Sequence, residues 1–257
     1  MTAVYRVHGD RAETSAHAAG PWSPDMQHGS PPSALVTWAA ERMPTAQPMQ
    51  VARVTVDLMR PVPLVPLTIE TETLREGRKI QLCGIRLKAG GVEVVRATVL
   101  KVRAADADLP AGLGDAPLDV PGPEAGHRED TSGLINPFIQ TMSISAVRGR
   151  LMVHGPGAIW YRADRPIIEG EPISQAMRAM IASDFSNATS SMLDWRKWTF
   201  LNADLSVSFA RQPVGDWILL NGETLIGPDG RGIATARLAD EKGYFGRSVQ
   251  TLVIEKR

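Results

Sequence analysis

The chain has 257 residues, 43% hydrophobic and 22% charged, with 28 basic against 28 acidic side chains and a formal net charge of +0. That balance provides for a sizeable core, shows no bias to disorder, and gives no general attraction to nucleic acid or to an anionic membrane. One cysteine, Cys83, cannot form an internal disulfide, and no apolar run approaches the length of a membrane span. The opening "MTAVYRVHGDRAE" carries early charges and no apolar h-region, so no secretory signal is expected and the expected setting is the cytoplasm.

In chain order, the first strong element is "MQHGSPPSALVTWAAERM", where a polar turn with His28, Gly29 and two prolines precedes Leu35, Trp38, Ala39 and Arg42 at helical spacing. Ser30 suits the cap and Pro31 the first helical position. A helix start of this kind attracts negative charge through free amides and the macrodipole. Four alternating segments follow, "VARVTVDLMRPV", "LTIETETLREG", "KIQLCGIRLKAGG" and "VEVVRATVLKVR", each reading as a strand. Cys83 within the third reads as a small packed hydrophobe rather than a nucleophile.

Residues 106–140 are rich in Pro, Gly and Asp and read as a linker. Beyond them come a strand, "AIWYRADRP", a helix in "EPISQAMRAMIASDF", and four further strands to the C-terminus. Helix and strands thus recur in the same order. "VTVDLMRPV" lies on "LSVSFARQPV", with Arg60 and Arg211 151 residues apart, and "RATVLKV" lies on "SVQTLVI", with Thr98 and Gln250 152 apart. A duplication accounts for this most simply. It predicts an α+β fold of two units, residues 1–105 and 141–257, each a helix wrapped by an antiparallel sheet.

Chemistry is expected where the copies differ. Asp204 stands where the first copy has Arg53, and Gln250 where it has Thr98; both interrupt apolar strand segments, where polar groups need partners or a cleft. Thr224 lies on a neighbouring strand, and Asp184 ends the second helix, where an acid opposes the dipole and is expected to be paired. The five histidines show no zinc-site spacing, no phosphate-binding loop follows the glycines of "LIGPDGRG", and no G-x-S-x-G elbow occurs.

"GPWSPDMQHGSPPSALVTWAAER", "SQAMRAMIASDFSN", "FLNADLSVSFARQPVGDWILLNGETLIGPDGRG" and "GRSVQTLVIEKR" together resemble the TesB-like double hotdog acyl-CoA thioesterases. The resemblance implies tandem hotdog units, an acyl-CoA substrate, no cofactor or metal, and no nucleic-acid or membrane partner. It leaves a homo-oligomer open. In that family an aspartate, a threonine or serine, and a glutamine hold the attacking water. The resemblance places the aspartate on Asp204 and the glutamine on Gln250; the hydroxyl falls on Thr224 or one residue later, on Leu225, which has none. His28, Gly29 and Ser30 would then face the oxyanion. Two other readings stay open: a hotdog acyl-CoA hydratase or dehydratase using His28 with Asp204, and a non-catalytic acyl-CoA binding protein.

Overall fold

The computed structural model describes residues 2–105, 108–110, 113, 117–133 and 136–257. A hairpin of β1 (Tyr5–His8) and β2 (Arg11–Thr14) leads to helix α1 (Ser30–Arg42). Strands β3 (Met49–Leu58), β4 (Leu67–Glu76), β5 (Ile80–Ala89) and β6 (Val92–Arg103) complete the first half. After β7 (His127–Arg128), β8 (Met142–Arg148) and β9 (Gly157–Ala163) come α2 (Gln175–Ser183) and the single turn α3 (Ser186–Thr189). Strands β10 (Trp198–Asn202), β11 (Asp204–Phe209), β12 (Ile218–Ile226), β13 (Arg231–Asp240) and β14 (Gly243–Lys256) close the chain.

All these strands form one antiparallel sheet in the order β1-β2-β4-β5-β6-β3-β11-β14-β13-β12-β9-β8-β7, with β10 paired to β14. The order β4-β5-β6-β3 on one side of the centre mirrors β11-β14-β13-β12 on the other. The join is β3 against β11, with Thr55 opposite Ser206, Arg53 opposite Ser208 and Asp57 opposite Asp204. Thr55 and Ser206 are 151 residues apart, the spacing of the repeat, and their hydroxyls meet at 3.1 Å. Residues equivalent in the two copies therefore face each other at the centre, as a pseudo-two-fold axis requires. Edge-to-edge joining also removes two strand edges that would otherwise stay open to foreign pairing.

Both copies carry the same bulge. In the first, Val51 pairs with Lys101 but Arg53 with Leu100, so Ala52 is extra. In the second, Asn202 pairs with Leu252, while Ser206 pairs with Val249, so one residue is extra near Ala203. A bulge reverses which side chains face inward. This register makes Val99, not Thr98, the equivalent of Gln250: Thr98 faces outward opposite Thr55, whereas Val99 is buried.

The sheet wraps α1 and α2. The helix α1 begins at Ser30 with Gly29 as its N-cap, and Pro31 and Pro32 fill the first turn, where a missing N–H costs nothing. Ser30 does not cap, as the sequence suggests; its hydroxyl turns instead to α2, donating to the Ile181 carbonyl at 2.9 Å. The start of α1 thereby packs on the end of α2. Ser174 caps α2, accepting from the Met177 amide at 3.1 Å. Leu35, Val36, Met177, Met180 and Ile181 are buried against Val54, Val56, Ile85 and Val207 of the sheet. The stretch read as a linker is partly structural, since Asn136, Phe138 and Ile139 are buried.

The shared Arg-(x)-Pro-Val does not mark a shared interaction. Arg211 grips the fully buried Asp240 at 2.5 and 2.8 Å, while the first copy has Ala89 at the position of Asp240. Burial alone would raise the Asp240 pKa, but the Arg211 guanidinium and the Val214 and Lys242 amides outweigh it and hold the carboxyl below its usual range. Asp240→Ala should cost about 3–5 kcal/mol in denaturant unfolding at pH 7, because it leaves a guanidinium without its partner. A depressed folded pKa means the stabilisation is complete above the unfolded carboxyl pKa of about 4 and is lost as pH falls below it. The gap between the two proteins should therefore narrow on acidification.

Candidate active site

The junction of the helices places a carboxylate against a helix start. Asp184 follows the last residue of α2, where its charge opposes that helix's dipole, and stands beside the N-terminus of α1, where charge of this sign is favoured. Its side chain is only 3% exposed. Oδ2 lies 2.8 Å from His28 Nδ1 and 3.2 Å from the Ser30 hydroxyl. Oδ1 accepts from Asn202 Nδ2 at 2.9 Å and stands 3.5 Å from Gln250 Nε2. Donors from both halves of the chain thus surround one buried charge, as such a charge demands.

Gly29 is explained by this geometry. A Cβ built on it would sit 2.5 Å from Asp184 Oδ1, so only glycine lets the helix start approach the carboxylate. His28 is stacked between Phe138, at 5.2 Å, and Phe185, at 4.7 Å between ring centroids. Its Nδ1 also lies 3.2 Å from the Ser30 amide, but a neutral ring nitrogen cannot donate and accept at once. With a carboxylate at the shorter distance the proton belongs on Nδ1, which leaves the Ser30 amide free for a ligand. Pro31 and Pro32 have no N–H, so Gly29 and Ser30 hold the available donors.

Gln250 is fully buried and fixed at both ends of its amide. Oε1 accepts from the Asn187 amide at 3.3 Å and Nε2 donates to the Asp184 carbonyl at 3.1 Å. The bulge near Ala203 turns Asn202 to the same inner face. Asp204, in phase with the outward Ser206 and Ser208, instead accepts the Thr251 amide on its carboxylate at 2.6 Å, filling a place in the ladder where the backbone pairing is broken. Thr251 is exposed while Gln250, its neighbour on β14, is buried. The pairing of Asp204 with Gln250 expected from the sequence is therefore corrected: the two lie on opposite faces of the sheet and share no site.

Thr224 faces inward and Leu225 outward, at 7% and 68% exposure. The Thr224 hydroxyl bonds Ser190 Oγ at 2.8 Å. It lies in the row Thr224–Ala234–Gln250, two strands from the glutamine, or roughly 10 Å at ordinary strand spacing. It is not brought to Asp184. Cys83 is buried, and burial pushes its thiol up, away from nucleophilic use. Among the described residues no three His, Cys, Asp or Glu side chains gather as a metal site.

Likeness to solved structures defines the class as a hotdog fold. A conserved protein with a hotdog fold from Alicyclobacillus acidocaldarius is 16% identical, with a TM-score of 0.77 over 98% of this chain and 95% of that one. A putative thioesterase II from Thermobifida fusca is 14% identical, with a TM-score of 0.74 over 99% and 96%. The tesB protein of Mycobacterium avium subs paratuberculosis is 17% identical, with a TM-score of 0.71 over 97% and 94%. The chain belongs to the acyl-CoA thioesterase family: the model of its N-terminal domain matches residues 18–102 and that of its C-terminal domain residues 115–254. No curated protein matches it.

Gly29→Ala tests the close approach. The added methyl must push the Asp184 carboxylate from its donors, so if this junction is the site of the family's thioester hydrolysis, that activity should fall at least about tenfold. Circular dichroism should show the secondary structure retained.

Proposed function

We propose that the chain is an acyl-CoA thioester hydrolase in which Asp184 activates the attacking water. In this reading the halves are tandem hotdog units, residues 1–105 and 141–257, joined through 106–140. The observation that carries it is the single buried carboxylate held at the start of α1 by donors from both halves. Asp184 takes the aspartate role that the resemblance put on Asp204. Gln250 keeps its role as a positioning amide, and Asn202 supplies the third group in place of Thr224.

The chemistry runs as follows. Water bound at Asp184, Asn202 and Gln250 attacks the thioester carbonyl as Asp184 takes its proton. Negative charge forms on the carbonyl oxygen and is met by the Gly29 and Ser30 amides and the positive end of α1. The C–S bond then breaks, the thiolate takes a proton, and free acid and free thiol leave. The steps balance without a cofactor. His28 holds Asp184 in orientation and keeps its proton on the carboxylate side. Acyl-CoA as substrate and a cytoplasmic setting accompany this reading, and among the described residues no helix is long and apolar enough to cross a membrane.

Release of free thiol from a panel of acyl-CoAs tests the proposal. Asp184→Asn should lower kcat by about a hundredfold to ten-thousandfold, the usual contribution of a positioned base, while Asp204→Asn and Cys83→Ala stay within a few-fold of the parent. Gln250→Ala should cost less than Asp184→Asn, since it removes one hydrogen bond rather than the base. Near-parental turnover by Asp184→Asn would overturn the assignment. One observation favours a second reading: His28 Nδ1 against Asp184 Oδ2 is an acid–base pair of the kind a hydratase or dehydratase needs. That enzyme would change enoyl-CoA absorbance and release no thiol.

A further inference from the structure

The pseudo-two-fold axis through Thr55 and Ser206 has a second end. There the C-terminus of α1 meets the N-terminus of α2, and a hollow of about 340 Å³ opens, lined by Glu41, Met49, Val51, Lys101, Gln175 and Gln212 among others. Val51 and Lys101 are the repeat equivalents of Asn202 and Leu252, beside Asp184 and Gln250. The constellation is repeated in altered form. A carboxylate, Glu41, stands near the end of α1 on one wall of this hollow, facing the start of α2 at Gln175, as Asp184 at the end of α2 faces the start of α1. Lys101 reaches in from the last strand of its half and donates to the Met43 carbonyl at the end of α1, at 2.9 Å, as Gln250 does to the Asp184 carbonyl.

The chemistry of the walls states what this hollow accepts. Gln175 Oε1 is buried and has no hydrogen-bond partner, and rotation of this lining side chain into the hollow lets an incoming N–H remove that cost. Glu41 and Lys101 bring one charge of each sign, so the hollow favours neither an anion nor a cation. Met49 and Val51 add apolar surface. Its volume lies at the lower end of small-molecule sites, roughly 300–1,000 Å³. A neutral, linear ligand with amide N–H groups meets all of these conditions.

We propose that this hollow is a second binding pocket that takes the diamide arm of an acyl-CoA, or of its free-thiol product, without hydrolysing it. The ligand class rests on the hydrolase reading; the pocket rests on the duplication and on Gln175. Hydrolysis is lost because Val51 and Val99 stand where Asn202 and Gln250 position water, and because the Lys101 ammonium lies near Glu41 where the active carboxylate has neutral amides.

Calorimetric titration of the full chain with CoA and with a non-hydrolysable S-alkyl thioether of CoA tests this. Two sites per chain are expected. Gln175→Met, which removes the unpaired oxygen, and Gln50→Trp, which fills the hollow from its exposed rim, should each leave one site and unchanged thiol release at low substrate. One site in the parent chain, or two sites that neither variant reduces, overturns the pocket even when thiol release is normal. Absence of thiol release over the whole acyl-CoA panel overturns the hydrolase reading instead, whichever stoichiometry is found.

Discussion

Everything about this molecule's site depends on the antiparallel pairing of β3 with β11. The pairing sets Thr55 against Ser206 and so fixes the axis that relates the two copies. Once that register is set, α1 and α2 lie side by side with the start of one at the end of the other, and Ser30 can reach the Ile181 carbonyl. A slip of one residue at the join would turn the inward side chains of a whole strand outward. The buried valines Val54, Val56 and Val207 make such a slip costly, so the same residues that build the core hold the site in register.

At that helix junction a tension becomes useful. An acid at the end of α2 is unfavourable to its own helix by about 0.3–1 kcal/mol, and the start of α1 favours it by a similar amount. The balance is tipped by direct hydrogen bonds: Asp184 is surrounded by His28, Ser30 and Asn202, with Gln250 close by. His28 and Ser30 come from the first half and Asn202 and Gln250 from the second, so neither half alone supplies the full set. The charge is fully surrounded where the halves are joined, which ties the site to the pairing of β3 with β11.

Much of the architecture was legible in the sequence, because the repeat is written as periodicity and turn signals that each copy displays separately. α1, α2 and the long strands follow from alternation and from Pro31 and Ser174 acting locally. The N-terminal hairpin β1–β2 and the strand β8 carry no clear signal, and β10 merges in the sequence with β11, from which only the bulge separates it. The site was legible only in part. Gln250 could be singled out because an amide inside an apolar strand needs a partner. Asp184 could be singled out because an acid at a helix end needs one too. Asn202 gives no such signal because the extra residue near Ala203 changes its face, and Asp204 gives a false one because a polar residue at a strand start finds its partner in the ladder itself.

The single extra residue near Ala203 decides which side chain of this strand the fold turns inward. Strict alternation along "LNADLSVSF" puts Asn202 and Asp204 on one face and the apolar Leu205, Val207 and Phe209 on the other. The inserted residue breaks the phase, so Asn202 joins the apolar face while Asp204 stays on the other with Ser206 and Ser208, its carboxylate standing in for a ladder carbonyl to Thr251. The first copy carries the same bulge at Ala52, which shows that the irregularity belongs to the duplicated fold and not to one site. The two copies then diverge in what the bulge presents. It brings Asn202 to Asp184 in one and Val51 to the hollow beside Glu41 in the other. A shared kink in the sheet thus serves as the point at which the two ends of the frame differ, one offering an amide beside a buried carboxylate and the other an apolar wall.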